Sequence, residues 1–191
     1  MNRRTLIKGI AVFSSLGISS FSLYKWFSLS AKPDHRTLHD MQGLIAELAE
    51  VIIPRTDTPG AKDAMVEVFI VDMIESCTDI KTQNNFIYGL NDLKDYTLSN
   101  YNTSFSDCSI NDKIAILKHF EKKSTYHYHI LNKIDRKFLG QPFFVKLKEL
   151  TIEGYCISKI GATKGLEYDY IPHNFQACIP LTKNQRSWAT K

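Results

Sequence analysis

What constrains this chain most is the spacing of its apolar residues. Between Leu38 and Tyr155 they recur three and four apart in run after run, the period of one helical face. No segment shows the alternation of a half-buried strand. Leu38, Met41, Leu44, Ile45, Leu48 and Ile52 make the first stripe. Thr37, with Asp40 three residues on, has the pattern of a helix start. Pro54 stops that helix, because proline lacks the amide a helix interior needs. Val66, Phe69, Ile70, Met73 and Ile74 predict a second helix, reaching about Cys77. Phe86, Leu90, Leu93 and Thr97 predict a third, with Thr82 as its expected cap. Ile114, Leu117 and Phe120 predict a fourth behind Ser109 and Asp112. Ile130, Ile134 and Phe138 fit a helix within 126–139, broken by Gly140-Gln141-Pro142. Phe143, Leu147, Leu150, Thr151 and Tyr155 form the last stripe. The expectation is an all-α fold, a single bundle-like domain of five or six helices. From Gly161 the period stops and Gly, Pro, Tyr and Asn take over, which predicts an irregular C-terminal arm. Gly161-Ala162-Thr163-Lys164-Gly165 reads as a turn.

The first thirty-one residues are of a different kind. Arg3, Arg4, Leu6 and Lys8 precede an uncharged run from Gly9 to Leu23, and no acid occurs before Asp34. A cationic start and an apolar middle are the layout of an export signal, and the paired arginines fit its twin-arginine form. Fifteen uncharged residues fall short of the roughly 20 that cross a bilayer, although continuing through Trp26, Phe27 and Leu29 would supply the length. Ser28-Leu29-Ser30-Ala31 offers small residues for cleavage without a clean A-x-A. Residues 1–31 are therefore expected to be a twin-arginine export signal or an N-terminal anchor, and 32–191 the helical domain. The whole chain carries 24 Lys+Arg against 20 Asp+Glu. Four of those cations (Arg3, Arg4, Lys8, Lys25) sit in the leader, which leaves 20 of each sign in the body. The basicity is thus a property of the leader, and it does not argue for nucleic acid.

The residues of the body supply few catalytic patterns. There is no G-x-S-x-G, P-loop or G-x-G-x-x-G. Cys77, Cys108, Cys156 and Cys178 form no C-x-x-C, and in an oxidising compartment four cysteines allow two disulfides. Free buried thiols are the alternative. His35 and His39 are four apart, but Thr37 is expected to start the helix between them, and two ligands fall short of a zinc set. His119 stands alone, His127 and His129 flank Tyr128, and His173 lies in the tail. Asp57, in the loop Arg55-Thr56-Asp57-Thr58-Pro59-Gly60, reads first as a turn residue. A stand-alone periplasmic metal-binding protein or enzyme using Asp57 and the histidines is the alternative function. Tyr155, Tyr168, Tyr170, Phe175 and Trp188 crowd the last forty residues, where they can dock on the chain's own helices or fill pockets on a partner.

Three stretches together resemble a known family. They are the leader Arg3 to Lys8, the segment Leu44 to Ala64 with its Ile52-Ile53-Pro54-Arg55-Thr56-Asp57-Thr58-Pro59-Gly60-Ala61 string, and Phe144 to Pro172. The chain is similar there to the gluconate 2-dehydrogenase subunit 3 family, with Pro54, Thr56, Asp57, Pro59 and Gly60 as the motif loop. The resemblance implies a small subunit without catalytic, cofactor-binding or metal residues of its own. Its partner would be a large flavoprotein of the glucose-methanol-choline type that holds FAD and oxidises a sugar, sugar acid or polyol. A multihaem cytochrome c subunit would pass the electrons on. The small subunit would carry the twin-arginine signal for both proteins, placing the complex in the periplasm at the inner membrane.

Overall fold

The computed structural model describes residues 26–124 and 136–171, with 178, 180, 183 and 185–189 of the C-terminal arm. Its helices are α1 (His35–Asp40), α2 (Gln42–Ile52), α3 (Val66–Cys77), α4 (Ile80–Tyr101), α5 (Ile110–Lys123) and α6 (Phe143–Ile157). Residues 26–29 and 136–139 are also helical. The all-α expectation holds, and the only β feature among the described residues is an isolated parallel bridge between Glu167 and Trp188. The rest of the helix expected over 126–139 lies outside the described residues.

Two helix starts fall a turn earlier than the apolar stripes predict. Asp34, not Thr37, caps α1, accepting from Arg36 N at 3.2 Å and from Thr37 Oγ1 at 2.8 Å. The Thr37 hydroxyl, helped by the backbone amides, holds the Asp34 carboxyl below its usual range. Asp79, not Thr82, caps α4 and takes bonds from Lys81 N, Thr82 N and Thr82 Oγ1. In both helices aspartate, the better cap, takes the free amides, and the expected threonine steadies it. Ser109 caps α5 as expected, accepting from Asp112 N and donating to Asp112 Oδ2. The first stripe is divided at Met41, whose amide still reaches Thr37 O, so α1 and α2 follow one another almost without interruption.

Helix α6 occupies the centre. It packs against α2, α3, α4 and α5. Phe143, Phe144, Leu147, Leu150 and Tyr155 are buried along it. Phe143 meets Phe86 of α4 edge-on at 5.3 Å and Phe120 of α5 at 6.1 Å, arrangements that aromatic rings favour. The approach is close enough to exclude side chains at two points. A Cβ on Gly89 of α4 would enter the Phe143 ring, and one on Gly154 of α6 would stand 2.6 Å from Phe69 Cδ1 of α3. Beyond α6, Gly161–Gly165 forms a π-helical turn where a plain turn was expected, because Leu166 N reaches back five residues to Gly161 O.

The glycines give a paired prediction. Gly154→Val should cost about 1–3 kcal/mol or more by overpacking against Phe69 and Val66. Gly43→Ala in α2, where an added Cβ meets nothing within 4 Å, should stabilise by about 0.5–1 kcal/mol. Chemical denaturation of the two variants checks both signs.

Candidate functional site: the loop between α2 and α3

A loop of Pro, Thr, Asp and Gly exposes many backbone amides, and each needs an acceptor. Here two carboxylates supply them. Glu50, in the last turn of α2, accepts from Arg55 N through Oε1 and from Lys62 N through Oε2, both at 2.9 Å. Asp63 accepts from Gly60 N at 3.0 Å and pairs with Arg55 Nη1 at 3.4 Å. Gly60 is buried in this clamp, where a Cβ would lie 2.6 Å from Glu50 Oε2 and 2.7 Å from Arg55 N. Ala61 N closes the loop's base on Ile53 O at 3.0 Å. Lys62 and, from α5, Lys113 both reach Glu47, the latter at 3.1 Å. Burial alone would raise the Glu47 carboxyl, but hydrogen bonds from the two lysines outweigh it and hold it below the usual range.

Tyr155 fastens the loop from the other side. It is only 6% exposed, and its hydroxyl donates to Pro59 O at 2.7 Å. Burial pushes its phenol above the usual range. The expectation of Tyr155 as a partner contact is thereby corrected: its ring belongs to the core and its hydroxyl is already engaged. The C-terminal arm returns to the same place. Glu167 and Trp188 pair through Glu167 N to Ser187 O at 2.9 Å and Ala189 N to Glu167 O at 2.8 Å. Arg186 then donates to Lys164 O at 2.7 Å and stands 3.7 Å from Asp57. Arg55, Thr56, Asp57, Lys164 and Arg186 thus surround an open cleft of about 460 Å³.

The other motif residues face outward. Asp57 is 83% exposed and takes a bond from Thr56 Oγ1 at 3.0 Å, as a turn residue does. Pro54 and Thr56 are exposed. Tyr168, Tyr170 (83% exposed), Ile171 and Trp188 show apolar surface on the arm. Arg3, Arg4, Leu6, Lys8, Phe175, His127, His129 and His173 lie outside the described residues.

Three of the described histidines, His35, His39 and His119, brace the helices. Because α1 begins at His35, His35 and His39 do share a face, and both bond one carboxylate, Glu75 of α3, at 3.1 Å. Gln83 of α4 takes the second ring nitrogen of His35 at 3.0 Å. Among the described residues no group of three or more His, Cys, Asp or Glu is placed to hold a metal ion. His119 stacks on Tyr96 at 4.4 Å. All four cysteines are free, so neither of the two disulfides that four cysteines allow is formed in this structure. Each thiol sits on a different element: Cys77 at the end of α3, Cys108 between α4 and α5, Cys156 on α6, Cys178 in the arm. Cys108 turns its Sγ to Ser104 O at 3.4 Å, and burial pushes its thiol up.

The fold and site define an all-α domain built around a carboxylate-clamped interhelical loop, with an aromatic arm laid beside it. A family model described as gluconate 2-dehydrogenase subunit 3 matches residues 39–173, and the chain belongs to that family. By family it is a subunit of an oxidoreductase complex. No curated protein and no solved structure matches the chain. No helix among the described residues is long and apolar enough to cross a membrane.

Two outcomes test the clamp. Glu50→Ala should cost about 1–3 kcal/mol by stripping two amides of their acceptor, and Tyr155→Phe about 1 kcal/mol. Both should hasten tryptic cutting after Arg55 and Lys62, read by peptide mapping. Glu47→Gln should lower stability at neutral pH by up to about 1 kcal/mol. The Glu47 carboxyl is depressed in the fold, so its contribution is full above the ordinary glutamate range and fades as pH falls through the lowered value. The gap between Glu47→Gln and the parent should therefore close in acid, as seen by thermal melts across pH.

Proposed function

We propose that this chain is the non-catalytic small subunit of a periplasmic, membrane-associated dehydrogenase complex. It would support the folding, stability and twin-arginine export of a flavoprotein of the glucose-methanol-choline type. FAD would reside in that large subunit and haem c in a third. The family match over residues 39–173 carries this reading. The geometry supports it. The loop is fixed from beneath by Glu50, Asp63 and Tyr155, yet Thr56 and Asp57 remain exposed, and the arm that reaches Asp57 through Arg186 exposes Tyr168, Tyr170 and Trp188. A rigid polar loop next to exposed aromatic side chains suits an interface, where Tyr and Trp contribute most of the binding.

The leader gives the test. Arg3→Lys with Arg4→Lys keeps the charge and removes the guanidinium pair. Cell fractionation should find both this chain and its flavoprotein in the cytoplasm. A flavoprotein that still reaches the periplasm would overturn the escort role.

A further inference from the structure

The segment expected to end the leader is built into the folded domain. Residues 26–29 are helical, and Ser30 N closes a turn on Trp26 O at 3.1 Å. Leu29 is 2% exposed. Asn84 of α4 is 5% exposed and spends both amide hydrogens here, donating to Leu29 O at 2.9 Å and Ala31 O at 2.8 Å. Ser28 and Tyr88 share a hydrogen bond at 3.2 Å, and Lys81 Nζ lies 4.8 Å from the centre of the Trp26 ring. A cut after Ser30 or Ala31, with loss of what precedes it, would empty the Leu29 site and strip the buried Asn84 amide of its Leu29 acceptor, and after Ala31 of both acceptors, a costly vacancy.

We infer that residues 26–31 belong to the mature domain, and that any processing of the leader falls before Trp26. A leader peptidase reads small residues at the first and third positions before the cut, in extended chain. For the Ala31–Lys32 bond the third position is Leu29, branched and buried in a helical turn. For the Ser30–Ala31 bond it is Ser28, within the same helical residues. Twin-arginine cargo folds before it crosses the membrane, so the peptidase meets this segment already docked. Trp26 and Phe27, by contrast, are exposed and meet edge-to-face at 5.3 Å. They stand directly behind the leader, where aromatic side chains suit a membrane interface.

The inference rests on the export reading only in supposing that a peptidase meets the chain, so its test has an independent arm. The full chain is expressed with its own leader, and its intact mass is read from the periplasmic and membrane fractions. A first residue at or before Trp26 is expected, and one between Phe27 and Lys32 overturns the inference. In the second arm purified full-length chain is treated with chymotrypsin, and cutting after Leu29 is timed in the parent and in Asn84→Ala. Cutting should be about tenfold faster in the variant, the factor that loss of about 1.4 kcal/mol of local stability gives. Equal rates would overturn the inference. A chain that never leaves the cytoplasm counts against the export reading alone, and the protease arm then decides.

Discussion

Everything else in this domain depends on how closely its neighbours approach α6. One helix touching four others must be narrow where they cross, and the chain makes it so with Gly154 on α6 itself and Gly89 on α4. The space gained is filled by rings, Phe143 between Phe86 and Phe120 on one side and Phe69 over Gly154 on the other. Packing at this density leaves little room for adjustment. It fixes where the end of α6 lies, and so where Tyr155 delivers its hydroxyl.

From that point the order passes outward to the surface. Tyr155 holds Pro59, Glu50 and Asp63 hold the amides on either side of it, and Glu47 joins the loop's Lys62 to Lys113 of α5. A polar loop would ordinarily be the most mobile part of a helical domain. Here it is tied to three helices, and the arm is laid against it through Arg186. Such a surface binds without first having to be ordered, which lowers the entropic cost of association.

Much of this was legible in the residues. The 3–4 spacing placed α3 to Cys77, α5 behind Ser109 and α6 from Phe143, since each stripe is one buried face. The caps Asp34 and Asp79 lie one turn before the threonines that the pattern points to, because a cap precedes the apolar stripe and threonine resembles one. Tyr155 fits both a helix stripe and the aromatic cluster of the C-terminal stretch, and burial decides for the core. The clamp itself left no local trace. Glu50 and Lys62 are twelve residues apart, and a glutamate at a helix end looks the same whether it faces water or a loop. Glu75 between His35 and His39 was hidden for the same reason: it comes from another helix. Composition around Ser28 to Ala31 carries no sign that the Ala31 carbonyl is held by Asn84, fifty-three residues on.

The role proposed for this surface is to hold a flavoprotein. The most direct measurement is native mass spectrometry of the full chain, affinity-purified from membranes of cells that also express the flavoprotein subunit of the proposed complex. The account predicts a complex of one small and one large subunit, with FAD leaving only with the large subunit when the complex is dissociated. A chain that emerges alone under conditions that keep the flavoprotein folded, or that itself carries flavin in one-to-one ratio, would contradict it.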